Sequence, residues 1–157
     1  MKKNLVAVLV AAFVITTPAW GQDKAADEAA IAALRTAAQS NKRALVASTL
    51  NLTDAEAKKF WPIYDSYQRD FDMLNRRRNV ALEGLVARDR PPSDLYARNL
   101  ANELIGVEEQ EIKARRKMHN AVMRALPPKK AARYLQLESK VRAVQAYDIA
   151  VAFPLVQ

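Results

Sequence analysis

Apolar residues return every three or four positions along one stretch of this chain, at Phe60, Ile63, Tyr64, Tyr67, Phe71, Leu74, Ala81, Leu82 and Leu85. Spacing of that kind describes one face of a long amphipathic helix reaching to about Ala87. Its start is marked by Thr53-Asp54-Ala55-Glu56, a capping box in which Thr53 accepts from the N3 backbone N–H and Glu56 reaches back to the Thr53 N–H. Pro62 sits inside, where it removes one backbone hydrogen bond; the stripe continues unshifted past it, which predicts a bend and not a break.

The remaining segments follow the same period. An alanine-rich stretch over 24–48 carries Ile31, Leu34, Ala38 and Leu45 and ends at Asn51-Leu52. After the loop Arg88-Asp89-Arg90-Pro91-Pro92, Ser93 is the N-cap of a third helix with Leu100, Leu104, Val107, Ala114, Met118, Ala121 and Ala125 on its stripe. Pro127-Pro128 opens a fourth, with Leu135, Val141, Val144 and Ala152, and the apolar tail Phe153-Pro154-Leu155-Val156 is expected to dock. Only three glycines stand among 157 residues, too few for the positive-φ turns of most β architectures. The expectation is an all-α fold of four helices, two of them long antiparallel arms in a curved open hairpin or cradle. Arms of that length leave apolar surface that a homodimer would cover.

The first residues read as an export signal. Lys2 and Lys3 precede an unbroken apolar run over 5–15, followed by Pro18 and Ala19-Trp20-Gly21, the layout of a cleavable secretory peptide over 1–21. The run is well short of the roughly 20 residues that span a bilayer, so no transmembrane span is expected after cleavage. Removing it leaves a single helical domain over 22–157 and lowers the net charge from +8 to +6. An exported basic chain meets anionic lipid, envelope polymers and acidic client segments, and nucleic acid is not an expected partner.

Composition argues against the common enzyme classes. There is no cysteine, hence no thiol nucleophile, no disulfide and no cysteine-bound metal, and His119 is the one histidine. Glycine-rich phosphate loops are absent. His119 and Met123 lie four apart on one face, but a copper(I) site needs more soft ligands nearby. Glu108, Glu109 and Glu111 read as helix surface. No catalytic, cofactor or metal residue is assigned.

The start of the fourth helix echoes that of the second at an offset of 74: Leu52 matches Leu126, Ala57 Ala131, Lys59 Arg133, Phe60 Tyr134 and Ile63 Leu137. Small, exported and helical, with a Leu-Thr-x-x-Gln-like start occurring twice, the chain resembles the Spy/CpxP group of periplasmic proteins with LTxxQ motifs. The motifs stand here as Leu52-Thr53-Asp54-Ala55-Glu56 and Leu126-Pro127-Pro128-Lys129-Lys130, with Glu56 and Lys130 in place of glutamine and Pro127 in place of threonine. The resemblance implies a periplasmic, cradle-shaped helical dimer acting as an ATP-independent chaperone for unfolded or misfolded proteins. The alternative it carries is an envelope-stress or metal-sensing adaptor that binds the sensor domain of a membrane partner.

Two basic triplets, Arg76-Arg77-Arg78 and Arg115-Arg116-Lys117, are the candidate client or partner contacts, together with Trp61, which lies off the aromatic stripe. Their alternative is a solvated face held by Asp72–Arg76 and Glu111–Arg115 pairs four apart. Arg78 falls on the apolar stripe between Leu74 and Ala81. If the arms turn about Arg90, facing residue numbers sum to about 180, which places Arg78 near Glu103 and Arg69 near Glu111 as register-setting pairs.

Overall fold

The structure is a computed structural model, and it describes residues 24–156; the export-signal reading over 1–21 lies outside them. Four helices and no strand make up the described residues: α1 (Lys24–Leu50), α2 (Asp54–Val86), α3 (Asp94–Ala125) and α4 (Pro128–Ala152). The all-α expectation holds, with every boundary within two residues of its sequence signal. Thr53 and Glu56 form the full capping box of α2, and the Ser93 hydroxyl accepts from the Tyr96 N–H at the start of α3. α2 runs through Pro62 without a break, with the proline exposed on its outer side.

One helix is interrupted where its pattern is continuous. Asn41 has φ −159°, ψ 81° inside α1, and its side-chain oxygen accepts from the Ala44 N–H at 2.9 Å. That is N-cap geometry, so α1 is two helices end to end, the second started by Asn41. This second piece ends at Asn51, whose φ of 44° is tolerable to asparagine.

The helices pack as two antiparallel pairs, α2 against α3 and α1 against α4, with a lighter seam between α3 and α4. α2 and α3 are arms of 33 and 32 residues, about 50 Å long at 1.5 Å per residue. At their tip Arg88 stacks on the Tyr96 ring, 3.5 Å from its centroid. Gly84 faces that tyrosine so closely that a Cβ would stand 3.3 Å from its hydroxyl.

The core lies at the opposite end, where the α1–α2 and α3–α4 turns meet. Val46, Leu50, Phe60, Tyr64, Tyr67, Phe71, Met118, Val122, Leu126, Ala131 and Tyr134 form one buried cluster there. Phe60 and Tyr134, equivalent positions of the internal repeat, meet edge to face with centroids 4.9 Å apart, a favourable aromatic geometry. The swap that exchanges α1 with α3 and α2 with α4 also exchanges the two antiparallel pairs, as an internal twofold would, although the α3–α4 seam has no counterpart between α1 and α2.

Several apolar expectations are corrected. Ala152 is exposed and Val144 only half-buried, because α4 turns its Tyr134, Glu138 and Val141 side inward. The tail does not dock as a unit: Phe153 is half-buried, while Leu155 is 89% exposed. Beyond Ala152 the helix has ended, and residues 153–156 run along the mouth of a groove.

Candidate functional site

Away from the core, α4 and the two arms enclose an open groove of about 700 Å³. Its walls are apolar, formed by Leu82 and Leu85 of α2, Leu100 and Leu104 of α3, and Ile149 and Phe153 at the end of α4. Leu82 and Leu100 are buried between the arms, whereas Leu85, Leu104, Ile149 and Phe153, the last just past the end of α4, remain half-buried because the core cluster is at the other end.

The floor is charged. Glu111 is 4% exposed and accepts from two guanidinium groups, Arg78 of α2 and Arg142 of α4, the latter at 2.6 Å. Arg78 also donates to the Asn75 side chain at 2.9 Å. Arg142 lies 4.9 Å from the centroid of the Phe71 ring, a cation–π distance. One carboxylate between two arginines leaves this cluster with one net positive charge, and the exposed Glu108, also on the groove, offsets a further cation there. Arg115, half-buried, also lines the groove and makes no ion pair among the described residues.

This arrangement corrects the expected register. Arg77, not Arg78, takes Glu103, through bonds that include one of 2.8 Å from Nη2. The pairing rule therefore holds one residue earlier, on the outer side of the arms. Arg78 sits 100° further round the helix, faces inward, and pairs with Glu111, so a carboxylate of α3 is its partner after all. No Arg69–Glu111 pair forms, nor do Asp72–Arg76 or Glu111–Arg115. Glu111 is not helix surface, because Arg142 of α4 and Arg78 of α2 both compensate it in the interior.

A second buried carboxylate holds α1. Glu138 is 2% exposed and accepts from Lys42 at 3.0 Å, and Lys42 also donates to Gln68 at 3.1 Å. Further along, Arg35 grips Asp148 with three hydrogen bonds between 2.8 and 3.2 Å. The sequence reading missed Glu111 and Glu138, although both carry the signal that singled out Arg78: a charge on an apolar stripe.

The other predicted residues are spread out. Arg76, Arg116 and Lys117 are exposed and outside the groove; of the two triplets, only Arg78 and Arg115 come together on it. Trp61 is half-buried against the core, with the Arg43 guanidinium 4.1 Å from its ring centroid; Arg43 is held in turn by Asp65. His119 is exposed, and among the described residues no three His, Cys, Asp or Glu side chains stand together as a metal site.

The two repeat motifs meet. Lys130 donates to Glu56 at 2.6 Å and to the Asn51 carbonyl at 2.8 Å. The Lys130 ammonium, then the Thr53 backbone N–H, hold the Glu56 carboxyl below its ordinary range. Leu126 is buried and Leu52 half-buried against the same core. These motif positions thus build the closed end of the molecule and stand apart from the groove.

Among the described residues no helix is long and apolar enough to cross a membrane. Comparison with protein-family models, with curated proteins and with solved structures finds no match to this chain.

Proposed function

We propose that this chain is an ATP-independent, chaperone-like binding protein of the cell envelope that holds apolar segments of unfolded or misfolded proteins. The observation that carries this reading is the open groove, apolar on its walls and cationic on its floor. Grooves of this size and character receive side chains, and a mostly apolar lining with a few placed polar groups is the usual make-up of a binding cleft. Long arginine stems extend the apolar lining while their charged ends stay wet. Surplus positive charge steers acidic segments toward it before apolar contact holds them. The LTxxQ-like helix starts and the export-signal layout favour the same class and an envelope location.

The test is suppression of aggregation of an unrelated, chemically denatured enzyme, followed by light scattering without nucleotide. The chain at several-fold molar excess is expected to suppress scattering. Ile149→Glu and Leu85→Glu, which place carboxylates on the groove wall, are expected to weaken that effect while far-UV circular dichroism stays unchanged. No suppression by the unaltered chain removes the proposal.

A further inference from the structure

The positive charge of this protein is concentrated in one corner. Residues 24–111 hold thirteen Lys and Arg against fourteen Asp and Glu, whereas residues 112–147 hold ten Lys and Arg against a single acid, Glu138. That acid is buried and bonded to Lys42, so it offers the corner no surface negative charge. Of the ten cations, Lys130 and Arg142 are ion-paired; the other eight make no ion pair among the described residues.

Arg115 is half-buried and turns to the groove, and the other seven are placed by helical period on the outside. On α3, exposed Lys113, Arg116, Lys117 and Arg124 lie opposite the buried Val107, Glu111, Met118 and Val122. On α4, exposed Lys129, Arg133 and Lys140 lie opposite the buried Ala131, Tyr134, Glu138 and Val141. Between the two helices opens a shallow dimple of about 330 Å³ with Ile112, Met118 and Leu135 in its lining. Ile112 and Met123 are 58% and 42% exposed beside the cations.

We propose that this α3–α4 corner is a contact face for the surface of an anionic lipid bilayer. Two antiparallel helices side by side present a broad face, and clustered Lys and Arg are drawn to anionic headgroups. Exposed apolar side chains among the cations reach the headgroup–acyl boundary, as in helices that lie on membranes. A nucleic acid is the poorer fit: of the two Phe, Tyr or Trp residues in 112–147, Tyr134 is fully buried and unable to stack on a base, and exposed Tyr147 lies seven residues beyond Lys140, the last unpaired cation of the corner. Contact through the corner holds the molecule near the membrane by a surface other than the groove walls of α2 and the end of α4.

The test is co-sedimentation of the full chain with vesicles of phosphatidylcholine alone or with about a third phosphatidylglycerol. The readout is the ratio of anionic to neutral partition, which cancels binding by the apolar run over 5–15. The unaltered chain is expected to favour anionic vesicles at low salt and to lose the preference in 0.5 M salt, where screening is nearly complete. Arg116→Gln, Lys117→Gln, Arg124→Gln and Arg133→Gln together are expected to lower the ratio at least a hundredfold, at about fivefold per cation. Lys58→Gln, Lys59→Gln, Arg69→Gln and Arg76→Gln together remove the same charge from exposed positions of α2 and are expected to leave most of the preference. Absence of an anionic preference in the unaltered chain overturns the proposal without any variant. Equal loss in both quadruple variants overturns it too, as does tighter binding to a duplex DNA oligonucleotide than to the anionic vesicles at equal salt.

Discussion

Replacing Glu111 by glutamine would leave the shape of the groove floor in place and remove the one charge that compensates it. The Glu111 side chain is 5% exposed, and its partners Arg78 and Arg142 are 15% and 19% exposed. Burial of this degree makes solvent a poor substitute for the carboxylate. Removing one member of a buried ionic group costs about 3–5 kcal/mol, a large part of the roughly 5–15 kcal/mol that stabilises a domain. At a urea slope of about 2 kcal/mol/M, Glu111→Gln should lower the unfolding midpoint by roughly 2 M. The corresponding fall in Tm is roughly 14 °C at about 2.1 cal/mol/K per residue. Urea titration followed at 222 nm measures the first and a thermal scan the second. Glu103→Gln, which breaks the exposed Arg77–Glu103 pair, should leave the midpoint close to that of the unaltered chain. The triple change Arg78→Met, Glu111→Leu, Arg142→Met removes all the charges together and should be as stable as the unaltered chain or more so. A Glu111→Gln midpoint within about 0.5 M of the unaltered chain, about 1 kcal/mol at that slope, would refute the reasoning.

Three further outcomes follow from the closed end. Phe60→Ala should cost about 3–5 kcal/mol in urea unfolding by opening a cavity among fully buried rings; Tyr134→Phe, which deletes a buried hydroxyl with no hydrogen-bond partner, should be neutral or stabilising. Burial pushes the Tyr64 hydroxyl up to about 12, with Glu138 adding to the rise, and pushes Tyr67 and Tyr134 up as well. Unfolded tyrosine loses its proton near pH 10, so the native state binds more protons above that pH and stability must fall as pH rises through it. Absorbance at 295 nm during alkaline titration should show these three tyrosines ionising together with unfolding.

What the sequence made legible was local. Thr53 and Ser93 declare their helices through bonds to residues three positions on, and the stripes assign each arm its inward side without knowledge of any partner. Arg78 was recognisable as a charge in an apolar row, but its partner was not. Hairpin register alone points to Glu103, and only α4, arriving from 30 residues later with Arg142, makes Glu111 the favoured carboxylate. Asn41 was hidden for a different reason: alanine-rich flanks sustain helix on both sides, so a cap in their midst leaves the periodicity intact. The groove follows from the arms outlasting the core, a matter of how four lengths combine and not of any motif.

The contact between the repeat motifs has one more consequence. If an approximate twofold relates the halves, position 56 and position 130 occupy the same place, and two copies of either half would set like residues against each other. Two α1–α2 halves would oppose Glu56 with Glu56, and two α3–α4 halves Lys130 with Lys130. Only unlike halves bring acid to base, as they do within this chain at 2.6 Å. The pair therefore discriminates against association of two like halves, and it is satisfied equally by closure of the chain upon itself and by a reciprocal exchange of unlike halves between neighbouring molecules.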